Sequence, residues 1–169
     1  KAVADHHRAL SITDEMTGLP NRRAFLQAAT TEIARLRRSP TPLTVVYMDC
    51  DNFKSINDQF GHAVGDQLLC NVGAALRANM RQQDVVARIG GDEFVVLLPD
   101  CDARAAAHVV EKLRVLLGET MAANRWRVTF SIGVVTYRTP PRNVEDLLHA
   151  SDALQYAVKR AGKNNVLHE

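Results

Sequence analysis

The stretch 43–48 (LTVVYM) sets the terms for the fold: an unbroken apolar, β-branched run with Pro40 and Pro42 before it and Asp49 and Asp51 after it. A run without polar alternation predicts a strand buried on both faces. Such a strand needs helices to cover it, and the flanking patterns supply them. Asn21 is a good N-cap for a helix over 22–38, in which Phe25, Leu26, Ile33 and Leu36 form an apolar side before the prolines stop it. After the strand, 52–58 reads as a short turn or helix, and Leu68, Leu69, Val72, Ala75 and Leu76 recur at helical spacing from about 65 to 80. Two strands, 85–89 and 93–98, are joined across Gly90-Gly91, a dipeptide suited to the positive φ angles of a tight hairpin. A helix over about 103–122, a strand at 127–137, a break at Pro140-Pro141, a helix at 144–161 and a short closing strand at 165–167 complete the order.

That order predicts an α+β domain with the β-α-β-β-α-β core of ferredoxin-like folds, extended by additional helices and a short C-terminal strand. In this topology the first and second strands run the same way. The C-terminal end of the first strand and the 90–91 turn then share one edge of the sheet, so Asp49 and Asp92 are expected to be neighbours although they stand far apart in sequence.

Composition narrows the function classes. The 169 residues suffice for one domain with a core, and 46% hydrophobic against 24% charged residues describes a soluble globular chain. A net charge of +2 with scattered Lys and Arg offers no polyanion-binding face, so nucleic acid is not an expected partner. Cys50, Cys70 and Cys101 have neither CxxC nor zinc-type spacing and are read as small buried hydrophobes in a reduced, cytoplasmic setting. No stretch reaches the length of a membrane span. The chain opens at Lys1 without Met, and 1–12 is read as a linker helix from a longer protein, leaving 13–169 as the domain; His6-His7 is read as solvated tail.

Asp49 and Asp51 are placed after the first strand, and Asp92 with Glu93 opens the third, which gathers carboxylates in one region. Such a set suits a hard cation. Mg²⁺, with Mn²⁺ as the alternative, takes a few carboxylate and carbonyl oxygens and leaves the rest to water or phosphate; Asp49, Asp92 and the Cys50 carbonyl are candidate ligands. An EF-hand loop is excluded, because Phe53 and Lys54 stand where it needs an acid or Asn and then Gly. A phosphatase with Asp49 as nucleophile is weakened by Phe53, where a small or β-branched residue is expected.

The stretch 49–66 (DCDNFKSINDQFGHAVGD) resembles the GGDEF family pattern D-x-D-x-F-K-x-I-N-D-x-x-G-H-x-x-G-D at every defined position. The stretch 88–94 (RIGGDEF) is similar to the family's signature, and 13–23 (TDEMTGLPNRR) to its opening T-D-x-L-T-G-L-x-N-R-R, with Met16 for the usual Leu. Ser131 to Gly133 and 152–164 add further landmarks, in which Gln155 and Val158 depart from the family pattern and Lys163 replaces a frequent Arg.

The resemblance implies a palm-like nucleotidyl cyclase fold and diguanylate cyclase activity, the condensation of two GTP into cyclic di-GMP. It implies Asp49, Asp92 and the Cys50 carbonyl as metal ligands, with Glu93 either assisting deprotonation of the attacking 3′-hydroxyl or joining the metal shell. Asn57 and Asp66 would read guanine, whose two adjacent donors suit a carboxylate. Phe53 to Asp58, Lys54, Gly91, Lys159 and Lys163 would hold substrate, mostly its phosphates. Arg81 and Asp84 match the family's RxxD inhibitory site for the product, with Lys112 as a further contact. A homodimer would complete the site, and an N-terminal sensor would control it in a protein that could be membrane-anchored. The alternatives are a non-catalytic module sensing GTP or cyclic di-GMP, and a Mg²⁺-dependent phosphatase.

Overall fold

The computed structural model describes residues 11–169, which form five strands and five helices. Helix α1 spans Arg22–Arg38, and its Asn21 cap accepts from the Ala24 N–H at 3.1 Å. Strand β1 is Leu43–Asp51; α2 is Phe53–Phe60 and α3 His62–Ala78. Strands β2 (Val85–Arg88) and β3 (Glu93–Pro99) precede α4, Ala103–Ala123. Strand β4 (Thr129–Tyr137), α5 (Val144–Arg160) and β5 (Val166–His168) close the chain.

The sheet runs β2-β3-β1-β4-β5, antiparallel except for the last pair. Because β1 and β2 each pair antiparallel with β3, they run the same way, as the ferredoxin-like core requires. Alternation along β1 feeds two cores. Val46, Met48 and Cys50 pack with Leu68, Leu76, Leu113 and Leu117 from α3 and α4; Val45 and Tyr47 pack with Phe25, Ile33 and Leu147 from α1 and α5. All nine β1 residues are buried, which explains the absence of polar alternation in the sequence.

Three expectations need correction. Asp49 and Asp51 do not follow β1 but end it, because both neighbouring strands continue the ladder: Asp49 lies opposite Glu93 and Ser131, and Asp51 opposite Thr129. Gly90 and Gly91 are not among the positive-φ glycines, which are Gly18, Gly61 and Gly162. Gly90 leaves room for its neighbour instead, since a Cβ there would fall on the Glu93 carboxylate and that side chain would have to move. Cys50 and Cys101 are buried but Cys70 is only half-buried, its thiol donating to the Met16 carbonyl. The expected linker helix lies largely outside the described residues; Ser11 and Ile12 are tied down, their carbonyls accepting from the Asn21 side chain and N–H. Among the described residues no helix is long and apolar enough to cross a membrane.

Candidate active site

The rung that pairs Asp49 with Glu93 brings two carboxylates to one face at the end of the central strands. The Cys50 N–H donates to the Asp92 carbonyl at 3.1 Å and holds the 89–92 turn against β1. Helix α5 supplies the cation: Lys159 Nζ sits 2.7 Å from Asp49 Oδ2. The other oxygen, Asp49 Oδ1, is buried without a hydrogen-bond partner. Burial pushes the Asp49 carboxyl up to about 6; the Lys159 contact opposes this, while the charges of Asp92 and Glu93 reinforce it. Tyr47, one pleat back on the same face, has its hydroxyl raised by burial and by the charge of Glu93.

Among the described residues no three His, Cys, Asp or Glu side chains converge into a closed metal cluster. An open set is present instead: Asp49 with its unpartnered oxygen, and Asp92 and Glu93 close enough to perturb it. An unpartnered buried carboxylate oxygen is costly unless a cation or donor completes it. The residues fit a divalent cation shared with a phosphate-bearing ligand.

Asp51 leaves that set. It is 1% exposed and its carboxylate accepts from Thr129 Oγ1 at 2.8 Å, Ser131 Oγ at 2.7 Å and the Asn164 N–H at 3.1 Å. It pins β4 and the segment after α5 to β1. Lys163, just past α5, then reaches Asn52 Oδ1 at 2.8 Å.

Helix α2 opens at Phe53 behind Asn52, which has φ 62° and makes no side-chain cap, so the first N–H groups are left for a ligand. Lys54 and Asp66 are exposed, and the Asn57 carboxamide packs against Gly65. Gly91 has open space where a side chain would project.

Arg81 and Asp84 line a separate cleft of about 300 Å³ with Pro20, Arg77 and Met80. Arg81 Nη2 donates to Asp84 Oδ1 at 2.8 Å and to the Pro99 carbonyl at 2.9 Å. Lys112 does not line this cleft; it borders another hollow with Asn79 and Val115. Two contacts escape sequence reasoning altogether. Arg88 bridges Asp14 and the Gly91 carbonyl, and Lys159 meets Asp49 across the fold. The matched motifs contain all five residues but carry no sign that they touch.

A mixed α/β sheet with carboxylates on the central rung, a glycine turn beside them and an uncapped helix start facing the same edge defines a nucleotide-processing class. The profile described as "Diguanylate cyclase, GGDEF domain" matches residues 11–165, and the chain belongs to that family. It is 36% identical to diguanylate cyclase DgcP of Pseudomonas aeruginosa, over 98% of this chain and 26% of that protein. It is equally identical to the response regulator PleD of Caulobacter vibrioides, over 96% of this chain and 37% of the relative. The chain thus spans less than half the length of these curated relatives. Among solved structures, the GGDEF domain of DgcB from Caulobacter crescentus in complex with c-di-GMP superposes with a TM-score of 0.84 at 30% identity, covering 93% of this chain and 92% of that one. Diguanylate cyclase SiaD from Pseudomonas aeruginosa, in complex with its activator SiaC, gives the same TM-score and identity over 99% of this chain and 66% of that one.

Proposed function

We propose that this domain is an active diguanylate cyclase, condensing two GTP into cyclic di-GMP. The supporting observation is the Asp49–Glu93 rung, with a buried Asp49 oxygen lacking a partner and Lys159 on its other side. Asp49, Asp92, Glu93 and the Cys50 carbonyl would hold Mg²⁺, or Mn²⁺ in its place, and that ion would neutralise charge developing on the reacting phosphate.

The remaining work falls to the chain. The N–H groups at the start of α2, from Phe53 and Lys54, cradle the phosphates with Lys54, Lys159 and Lys163, and Gly91 lets backbone approach the substrate. Asn57 and Asp66 read the base, a carboxylate favouring guanine over adenine. Glu93, opposite Asp49 on the end rung, favours loss of the 3′-hydroxyl proton. The 3′-oxygen of one GTP attacks the α-phosphorus of the other, its bond to the bridging oxygen breaks, and pyrophosphate leaves; the reciprocal step closes the ring. Each domain binds one GTP, so two domains face each other as a homodimer. Arg81 and Asp84 form a product-binding inhibitory site, to which Lys112 contributes from its neighbouring hollow. The domain is the cytoplasmic output of a longer protein whose N-terminal signalling region sets the dimer population.

The test is direct. Concentrated domain, with GTP and Mg²⁺, should form cyclic di-GMP and pyrophosphate, and Glu93→Gln should lower the rate by about 100-fold or more. A folded, GTP-binding wild type that makes no product at any concentration would leave only a sensing module. Arg81→Ala should raise the final product level; unchanged product inhibition would remove the RxxD assignment.

A further inference from the structure

Gly65 lies one turn into α3, is buried, and stands where alanine would make the better helix. A Cβ there would fall on Asn57 Oδ1 and lie 3.0 Å from Asn57 Cγ and 3.2 Å from Phe53 Cζ. The carboxamide oxygen therefore occupies the space of the missing side chain. It is buried and has no hydrogen-bond partner. Asn57 Nδ2 differs: it makes no hydrogen bond within the described residues and is not fully buried. The two residues face each other across the corner at Gly61 (φ 87°), whose N–H donates to the Asn57 carbonyl at 2.9 Å and whose carbonyl accepts from the Gly65 N–H at 3.3 Å.

We infer that Gly65 is a positioning residue for base recognition: the slot beside its Cα seats Asn57 Oδ1 and fixes the carboxamide with its Nδ2 donor edge toward the nucleotide. The inference rests on the reading of Asn57 and Asp66 as the guanine-reading pair. A carboxamide left free to turn over would offer donor and acceptor alike, whereas a seated one offers only its donors. Asp66, an acceptor, then takes the N1–H and N2–H groups of guanine, and Asn57 Nδ2 donates to one of the acceptors flanking them, O6 or N3. The pair presents complementary edges to one base because one oxygen has been hidden.

The test compares the binding of GTP and of inorganic tripolyphosphate, both with Mg²⁺, to wild type, Gly65→Ala, Asn57→Ala and the double variant. Gly65→Ala and Asn57→Ala should each weaken GTP by about tenfold, the worth of one hydrogen bond. Tripolyphosphate affinity should not change, and Gly65→Ala should add nothing in the Asn57→Ala background. Should Gly65→Ala bind GTP as wild type does while Asn57→Ala is weakened, the inference alone is overturned; equal loss of GTP and tripolyphosphate overturns it too, as general damage. Unchanged GTP binding in Asn57→Ala overturns the base-reading role and this inference with it. If Gly65→Ala does not fold, the double variant should, because removing the carboxamide empties the slot; a double variant that stays unfolded overturns the proposal.

Discussion

Arg88 spends its guanidinium on two partners: Nη1 reaches both Asp14 oxygens at 3.0 and 3.1 Å, while Nε and Nη2 reach the Gly91 carbonyl at 3.1 and 2.8 Å. A lysine has no planar fork with which to serve both. Burial raises the Asp14 carboxyl, but hydrogen bonds from Thr17 and Arg88 outweigh it and hold the group below its usual value. A folded-state value below the unfolded one means the stabilisation is present at neutral pH and lost as pH falls through the native value. Asp14→Asn should therefore cost about 1–3 kcal/mol in urea unfolding at neutral pH, and the gap from wild type should narrow as pH falls through the lowered native value. A gap independent of pH would mean that the carboxylate charge is not what holds the turn.

Asp49 and Asp51 stand two residues apart on one face of β1 and should separate function from stability. Asp51 accepts three hydrogen bonds, so Asp51→Ala strands buried donors and should cost about 2–4 kcal/mol. Asp49 carries an unpartnered oxygen and a half-exposed lysine that can rehydrate. Its alanine variant should melt close to wild type yet lose cyclic di-GMP synthesis. Thermal unfolding run beside a product assay checks both, and a large loss of stability in Asp49→Ala would assign that residue to the scaffold.

At the scale of elements, α5 reaches the site only because it lies very close to the sheet. A Cβ at Gly133 on β4 would collide with the Ser151 carbonyl and stand 2.6 Å from the Gln155 nitrogen, both backbone atoms of α5. Gly133→Ala must lift the helix that carries Lys159, and should cost about 3 kcal/mol or more and weaken GTP binding together. Gly91→Ala, with open space, should leave stability unchanged while impairing turnover; equal melting losses in the two variants would contradict this division. Helices and strands were legible because periodicity and caps are local: Asn21 caps α1 as expected, and the buried run of β1 reads as what it is. The end of β1 was not, because Asp49 to Asp51 are drawn into the sheet by hydrogen bonds from β3 and β4, which no local pattern records. The 90–91 turn misled for a different reason. Gly90 leaves room for the Glu93 side chain three residues on, whereas a Gly-Gly pair advertises only backbone freedom.

At the scale of the whole molecule, the chemistry asks for more than one copy. Cyclic di-GMP is two-fold symmetric and contains two new phosphodiester bonds, each made by the 3′-oxygen of one nucleotide at the α-phosphorus of the other. If each domain holds one GTP and one carboxylate rung, both bonds form only where two competent domains meet across a two-fold axis. A dimer with one Glu93→Gln half would stall at a linear dinucleotide. Mixing wild type with Glu93→Gln at fixed, saturating total concentration therefore tests the number of domains per turnover without any knowledge of the dimer contacts. With random pairing, the cyclic product rate should follow the square of the wild-type fraction, so that an equal mixture retains about a quarter of the activity. A rate that falls in simple proportion, to about half, would mean that each chain completes the reaction alone. The square law requires only that subunits exchange before assay, and accumulation of the linear dinucleotide in the mixed sample would identify the step at which the half-competent dimers stop.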